Sequence, residues 1–547
     1  MFIVINLIRK YMLNWCPLRN FTHYSLLKGF SKPSELASKC KSEGYIACGI
    51  SDYKTISGAV AFYKACKKSG IKPIIGCSFD DFTLFAKNKN GWYDLIQLVS
   101  SLDNEGNLNR DILSSILKKQ NIIKVDNNIN LLPVSYYVNS EDAKLHRILL
   151  CSELKTTLPK INKLIHSGEL DKNIEYQFTH DDLCVWSKDK LQSVAQNTNK
   201  KDLEFIDTII NSCEEYDILS KPMLPVFPCP DNQSEEDYLK QLCRDGWKTL
   251  LIKNNKVSNP EDKQKYAERF DEEFNVIKNA NLFGYFLIVQ DIIKYVNDQG
   301  WLSGPGRGSA AGCLISYLIG ITKIDPLEFD LLFSRFYNAG RNSADHISLP
   351  DIDMDVPAKR RDDVLLYLKN KYGHDHVSQM ITFGRLQGRS AIKEVLRVNE
   401  ACSFAEMNTI TKSIPNEAEI SDQLADMDDE DRSIIRWALL NNADDLRDFC
   451  HINEDGKLDG DYAEYFDQAI KIEGTFKTQG KHAAGVVISK HKLNTVCPMV
   501  DQRDSSEKIA GLEMADLESL GHVKFDVLGL SLLDKLMFIQ DKETING

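Results

Sequence analysis

The chain has 547 residues, 43% of them apolar and 27% charged, with a net charge of −12. That length suits roughly two to four domains and that composition suits soluble, globular ones; no apolar run approaches the length of a membrane span. Fourteen cysteines are scattered without a C-x-x-C pair, which argues against a zinc ribbon and against a disulfide scaffold, and fits a reducing cytoplasm.

In chain order, the first feature is the apolar run Met1–Ile8. Arg9 and Lys10 follow it rather than precede it and no small-residue cleavage site is apparent, so it reads as an edge strand or short helix rather than a secretion signal. Pro222–Pro230 carries four prolines in nine residues, the mark of an extended connector between domains. Ser234 then precedes Glu235, Glu236 and Asp237, a helix N-cap with acidic residues in the first turn. Gly304-Pro305-Gly306-Arg307-Gly308-Ser309-Ala310-Ala311-Gly312 runs directly into apolar Cys313–Ile319. A glycine-rich turn feeding a helix start leaves backbone N–H groups free for phosphate, and Arg307 and Ser309 add donors. It is not a Walker A loop, lacking its Lys and its glycine spacing. A tight structural turn is the plainer alternative.

Leu349-Pro350-Asp351-Ile352-Asp353-Met354-Asp355 alternates carboxylates with large apolar residues, the pattern of a strand with one buried face and one acidic face. Like charges at that spacing repel, so a cation is expected among them, and a pair of divalent ions held by oxygen suits in-line phosphoryl transfer. A calcium loop is the competing reading, but Val356 and Asp362 stand where such a loop needs Gly and Glu. A solvated acidic strand edge is the other. Downstream, Arg385, Arg389, Lys393 and Arg397 recur every fourth residue with Ile392, Val395 and Leu396 between them; on a helix they make one basic ridge able to follow a phosphate backbone, or simply a solvated face. Charge is uneven elsewhere: 426–431 is acidic and Lys359-Arg360-Arg361 basic, and local field matters more than the total. Finally, Lys524 and Asp526 in Gly521–Leu530 would share one face of a strand, with Val523, Phe525 and Val527 on the other.

The strings GPGRGSAAG (304–312), DPLEFDLLFSRF (325–336), LPDIDMD (349–355), the ITFG segment from Ile381, GKHAAGVVIS (480–489) and VKFDVLGL (523–530) stand in an order and at separations that resemble the alpha subunit of bacterial, or phage-encoded, DNA polymerase III, the C-family replicative polymerases. That resemblance implies a multidomain α/β and α+β fold: a PHP-like (β/α) barrel, then a nucleotidyltransferase-type palm with an inserted, mainly helical thumb. The expected boundaries are 1–221 for a degenerate PHP domain, 222–382 and 480–530 for the palm, 383–479 for the thumb, and 531–547 for the start of fingers or a tail. It further implies that Asp351, Asp353 and Asp526 are catalytic and hold two magnesium ions. Arg307, Gly308, Ser309 and Lys524 would contact the phosphates of a deoxynucleoside triphosphate, and Arg385, Arg389, Lys393, Arg397, Lys481 and His482 would contact primer-template DNA. Asp355 shares their parity but matches no catalytic position.

Two departures from the family qualify these expectations. In the PHP-like region, where metal-binding members carry His-x-His, this chain has Arg19, Asn20 and Phe21; Tyr53 replaces another ligand histidine and Ser78 follows Gly76-Cys77 where Glu is common. His23 alone remains. The groups that replace the ligands, at Arg19, Asn20, Phe21, Tyr53 and Ser78, bind transition metals poorly, so no metal is expected there. The chain also ends 21 residues past Asp526, which leads us to expect a second polypeptide carrying fingers and C-terminal modules, with other replisome proteins nearby, in the cytoplasm (the host's, if phage-encoded) and without a membrane. The competing functions are a non-catalytic polymerase scaffold and a PHP-type phosphoesterase or proofreading nuclease.

Overall fold

A computed structural model describes residues 15–129, 131–196, 200–338, 340, 349–428, 431–502 and 505–546. The apolar run at Met1–Ile8 lies outside them, as do residues 429 and 430 of the acidic run. The chain divides into two compact units, Met1–Ile218 with Phe383–Gly480, and Leu219–Thr382 with Lys481–Gly547. No single helix among the described residues is long and apolar enough to cross a membrane.

In the first unit, β1 (Arg19–Asn20), β2 (Ala47–Ile50), β3 (Lys72–Ser78), β4 (Phe82–Ala86), β5 (Ile122–Asp126) and β6 (Val134–Ser135) form a four-stranded sheet, β2-β3-β4-β5, and a two-stranded one, β1-β6. Gly49 N donates to Pro17 O at 2.8 Å and Ser51 N to Asn20 O at 3.0 Å, so β1 lies along β2. Only glycine fits at position 49, because a Cβ there would stand 2.3 Å from Leu18 O. This is a mixed α/β layer, and among the described residues it does not close into the expected barrel. β3, β4 and β5 run as antiparallel neighbours, and β5 sends Lys124 and Asp126 into solvent, as an edge strand does.

Residues 383–480 are mainly helical, with a short hairpin, β9 (His451–Ile452) and β10 (Leu458–Asp459). They share a core with the N-terminal segment. Ala391, Ile392, Val395 and Leu396 of the helix Gly388–Asn399 pack in one buried cluster with Leu145, Ile148 and Leu149 of the helix Ala143–Glu153 and with Phe466, Ala469 and Ile472. Burial of that many apolar side chains outweighs any local preference for independence. Polar links reinforce it: Thr157 Oγ1 donates to Glu400 at 2.7 Å and Arg397 Nη1 to Thr156 O at 3.2 Å.

His23 is buried in the same unit. Its ring stacks on Phe476 at 4.0 Å, Phe476 stacks on Phe383 at 4.5 Å, and Tyr24 meets both edge-on. Burial above all, then Lys32 and Arg385, pushes its imidazole down to about 3, and its Nδ1 is buried without a partner. An unfolded histidine titrates near 6.5, so the folded state holds its proton more weakly. The stability this contributes is present above pH 6.5 and is lost as pH falls toward 3. His23→Phe keeps the stack and removes the titration. At pH 5 it should be more stable than wild type by about 2 kcal/mol, with the gap closing by pH 7.5. Parallel urea unfolding curves with no pH-dependent difference would refute this.

The second unit is built on a six-stranded sheet. Its members are β7 (Asp353–Pro357), β8 (Val377–Arg385), β11 (Phe476–Ile488), β12 (Met499–Gln502), β13 (Ser505–Ala510) and β14 (Val523–Leu530), in the order β12-β13-β8-β11-β14-β7. The chain leaves the unit along β8 and returns along β11. The helix Phe283–Asp298 is buried on nearly every side, and its Phe286, Ile288, Val289 and Ile292 share a core with Ile352, Met354, Val356, Val523, Phe525 and Val527. With the apolar residues of β7 and β14 committed to that core, the strand period of two turns their acidic residues to the opposite face. Ser234 caps the helix Glu235–Gly246 as expected, its Oγ accepting from Asp237 N at 3.1 Å.

Candidate metal centre

The acidic motif enters the sheet later than its alternation suggests. β7 begins at Asp353, not Leu349: Pro350 has no N–H to give a neighbouring strand, and Ile352 N donates to the Tyr285 hydroxyl at 3.3 Å. Tyr285 in turn stacks on Phe525 of β14 at 5.3 Å, so one aromatic residue touches both acidic segments from behind. β14 pairs with β7 in parallel, with Asp526 directly opposite Asp353.

The result is convergence. Oxygens of Asp351, Asp353 and Asp526 all lie within 4.8 Å of one another. Asp526 is buried; its Oδ2 receives Lys524 Nζ at 2.6 Å, while its Oδ1 has no hydrogen-bond partner. A buried carboxylate oxygen without a donor is unfavourable by a few kcal/mol. Burial, then the neighbouring charges of Asp351, Asp526 and Asp355, raise the Asp353 carboxyl above the usual carboxylate range, against the pull of Arg307. An all-oxygen set with an unsatisfied inward-facing lone pair fits a hard divalent cation such as magnesium, which takes one or two carboxylates and leaves positions for substrate. Asp355 stands apart, buried and bonded to Arg307 Nε at 3.1 Å.

The glycine-rich loop is pinned beside these carboxylates. Gly304 N donates to Asp355 O at 3.0 Å, and a Cβ on Gly304 would stand 2.7 Å from that of Asp355. Gly306 and Gly308 have φ of 100° and 65°, which side chains rarely tolerate. Arg307 therefore reaches back over the strand, with Nη1 on Asp353 at 2.9 Å. Gly308 and Ser309 are exposed. The free helix start expected after this loop is occupied, however. Glu273, from the helix Pro260–Asn279, accepts from Leu314 N and Ile315 N, each at 2.9 Å. It is itself held by Arg269 at 2.6 Å. The helix beyond spans only Leu314–Leu318, and its first backbone donors are already taken. Glu273 and Tyr285 escaped the sequence reading. The signal was present for the first: a lone acid on the apolar stripe of Tyr266, Phe274 and Ile277, four residues after an arginine.

Other expected contact residues are more dispersed. Lys481 is exposed on β11; His482 Nδ1 accepts from Gly485 N at 2.8 Å, and Gly485 faces Asp526 across the β11–β14 pair. Of the basic ridge, Arg389, Lys393 and Arg397 lie on the helix Gly388–Asn399, but Arg385 closes β8, so the four do not form one helical row. Gly388 at φ of 41° breaks the continuity between strand and helix. Arg389 donates to Ile414 O and Arg397 to Thr156 O and Glu394. Arg361 is likewise spent on Val527 O at 2.8 Å and Ala484 O at 3.3 Å.

In the first unit, the positions where metal-binding PHP members carry histidines hold other chemistry. Arg19 Nη1 donates to Asn127 O at 3.0 Å and Leu132 O at 3.2 Å, Asn20 Nδ2 to Gly49 O at 2.8 Å, and the Tyr53 hydroxyl to Asp80. Asp52 accepts from Thr22 N, Thr22 Oγ1 and Ser25 Oγ at 2.6, 2.8 and 2.6 Å, and burial raises its carboxyl to about 6.

Comparison with known proteins bears on both units. A family model described as the bacterial DNA polymerase III alpha NTPase domain matches residues 237–529, and one described as the PHP domain matches residues 17–130. The DNA polymerase III subunit alpha of Bacillus subtilis (strain 168) is 28% identical over 97% of this chain and 50% of its own length. That of Aquifex aeolicus (strain VF5) is 27% identical over 95% of this chain and 51% of its own, and that of Escherichia coli O6:H1 29% over 94% and 48%. The chain spans about half the length of the curated relatives it matches.

Proposed function

Because the chain belongs to the bacterial DNA polymerase III alpha family, we propose that it carries the palm of a replicative DNA polymerase and adds deoxynucleotides to a primer 3′ hydroxyl. The observation that supports this most is the meeting of Asp351, Asp353 and Asp526 within 4.8 Å, from segments more than 170 residues apart in sequence. These three carboxylates would hold two magnesium ions, which when bound supply charge to the attacking and departing oxygens. In the reaction, the primer hydroxyl loses its proton to solvent as its oxygen bonds to the α-phosphorus of the nucleotide, and the bond from that phosphorus to the bridging oxygen breaks to release pyrophosphate.

The chain's own residues then have distinct tasks. Asp351, Asp353 and Asp526 hold the charge-bearing site and keep it on a rigid sheet. Arg307 exchanges its carboxylate partners for the incoming triphosphate, aided by the exposed Gly308 and Ser309. Lys524, already 2.6 Å from Asp526, orients that carboxylate and reaches toward the same phosphates. Lys481, His482 and the Arg385–Arg397 segment of the thumb would track the DNA backbone. Arg307→Ala should therefore raise the KM for nucleotide about 10- to 100-fold, the loss of one charge-assisted contact, with a smaller change in kcat. An unchanged KM in single-nucleotide incorporation would remove Arg307 from the phosphate site.

The region 1–221 is proposed to be a metal-free, structural PHP domain. Arg19, Phe21 and Tyr53 at ligand positions support this over a phosphoesterase or proofreading nuclease, and elemental analysis for zinc and manganese, with hydrolysis of a 3′-mismatched primer, tests it. A fingers-bearing second polypeptide is proposed to complete the nucleotide pocket. Leu532, Leu536, Phe538 and Ile539 of the helix Ser531–Asn546, directly after β14, are each at least 43% exposed and offer it an apolar surface. Processive primer extension by the purified chain alone would refute this requirement. A cytoplasmic setting follows from the same reading.

A further inference from the structure

Of the three carboxylates that converge in the second unit, Asp353 and Asp526 are held by the sheet, facing each other across the β7–β14 pair. Asp351 is not: it precedes β7 and is exposed. A residue outside the hydrogen-bonded ladder keeps its backbone freedom unless another group fixes it. Here that group is the Tyr285 hydroxyl, which accepts at 3.3 Å from Ile352 N, the backbone donor between Asp351 and Asp353. Ile352 and Tyr285 are each only 2% exposed. The Tyr285 ring stacks on Phe525, the residue before Asp526, at 5.3 Å with the planes 19° apart. The seat of that ring is rigid. Tyr285 lies in the first turn of the helix Phe283–Asp298, whose Phe286, Leu287, Ile288 and Val289 are fully buried. A Cβ on the neighbouring Gly284 would stand 2.9 Å from the Glu235 carboxylate, so the start of the helix has little room to shift.

We propose that Tyr285 is a positioning residue for the metal centre, its hydroxyl fixing the backbone next to Asp351 so that this carboxylate stays within reach of Asp353 and Asp526. The proposal rests on the reading of those three carboxylates as metal ligands, and it adds a side chain that touches neither ion nor substrate. A set of ligands binds a cation tightly when it is arranged beforehand, because a mobile ligand loses its freedom on binding and weakens affinity accordingly. Asp351, outside the sheet, has the most freedom to lose. Without the hydroxyl, Ile352 N is left buried and without its acceptor, an unfavourable state that the segment relieves by turning the N–H toward water and carrying Asp351 with it. The glycine-rich loop is tied instead to Asp355 O, on the strand itself, so the nucleotide contacts expected of Arg307 do not depend on Tyr285.

Tyr285→Phe keeps the ring and its stack and deletes only the hydroxyl. Thermal melting of the full chain at increasing magnesium concentration reads cation affinity without requiring activity. The variant should need about tenfold more magnesium than wild type for the same rise in melting temperature, while without metal it melts no more than about 4 °C lower. Single-nucleotide incorporation, with whatever partner chain activity requires, should show a lower kcat and an unchanged KM for nucleotide. In an Asp351→Asn background the hydroxyl has no carboxylate left to place, so Tyr285→Phe should add less than about twofold to the loss of magnesium affinity that Asp351→Asn causes. A general loosening of the core would add its full effect there. Should Tyr285→Phe lose its fold, hydrogen exchange in the metal-free wild type decides instead: the Ile352 amide should be protected, and rapid exchange would overturn the proposal. It is equally overturned by a wild-type magnesium shift that Tyr285→Phe leaves unchanged, by additive losses in the double variant, or by a raised KM with kcat intact. A wild-type chain whose melting ignores magnesium would instead remove the metal reading itself, and this inference with it.

Discussion

Asp353→Asn should reduce primer extension by at least about a thousandfold, on the order of 4 kcal/mol of lost transition-state stabilisation, while leaving the protein as stable as before or slightly more so. Both halves follow from the same geometry. Asp353 faces Asp526 across β14 and β7, Asp351 lies two residues upstream, and the oxygens of all three lie within 4.8 Å. Removing one negative charge relieves a repulsion that already raises the Asp353 carboxyl, and the partner it leaves, Arg307, retains Asp355. An isosteric amide at a half-buried strand position disturbs little packing. Magnesium should raise the melting temperature of wild type and have a much smaller effect on the variant, because binding to the native state alone stabilises it by mass action. The assay is single-nucleotide incorporation with whatever partner chain activity requires, alongside thermal melting with and without magnesium. Retained incorporation would dismiss the metal assignment; lost incorporation with a collapsed melting curve would show that Asp353 is structural.

The second large effect is on stability. Glu273→Ala should destabilise the protein by about 3–5 kcal/mol, although the residue touches no part of the expected chemistry. Its carboxylate is fully buried and accepts from Leu314 N, Ile315 N, Cys313 Sγ and Arg269 Nε. Truncation strands two backbone donors and a mostly buried guanidinium at once. That guanidinium also holds Gly312 O at 2.6 Å and Leu331 O at 3.0 Å, so the end of the glycine-rich loop should loosen with it. Glu273→Gln should fall between, keeping one acceptor oxygen but not the charge. Urea unfolding measures the difference, and a loss under about 1 kcal/mol, the scale of an ordinary hydrogen bond, would show that water replaces the carboxylate at no great cost.

Legibility of the fold varied with the range of the interactions that produce it. Local signals were read correctly where they act alone. Ser234 caps its helix because its hydroxyl and the first-turn acids serve the same three residues. Met354 and Val356, like Phe525 and Val527, point into one core because a strand repeats every second residue. Local reasoning failed wherever a distant group claimed the same atoms. The helix start at Leu314 looked free and is occupied by Glu273, forty-one residues earlier. The regular spacing of Arg385 with the three basic residues after it was a coincidence across a strand and a helix. His23, by contrast, is a core residue as a lone histidine is expected to be, stacked on Phe476.

By itself the sequence determined the chemistry that the candidate site can hold: three carboxylates, a glycine-bounded arginine, and no histidines where metal-binding PHP members have them. Side-chain identity sets charge, ligand hardness and donor count, and these need no coordinates. Only the tertiary structure decided that Asp526 comes to Asp351 and Asp353, that residues 383–480 share a core with the N-terminal segment, and that Tyr285 touches both acidic segments. Each of these depends on strand register and on which apolar faces meet, and those are chosen by summed burial over many distant residues, a quantity that no local pattern along the chain contains.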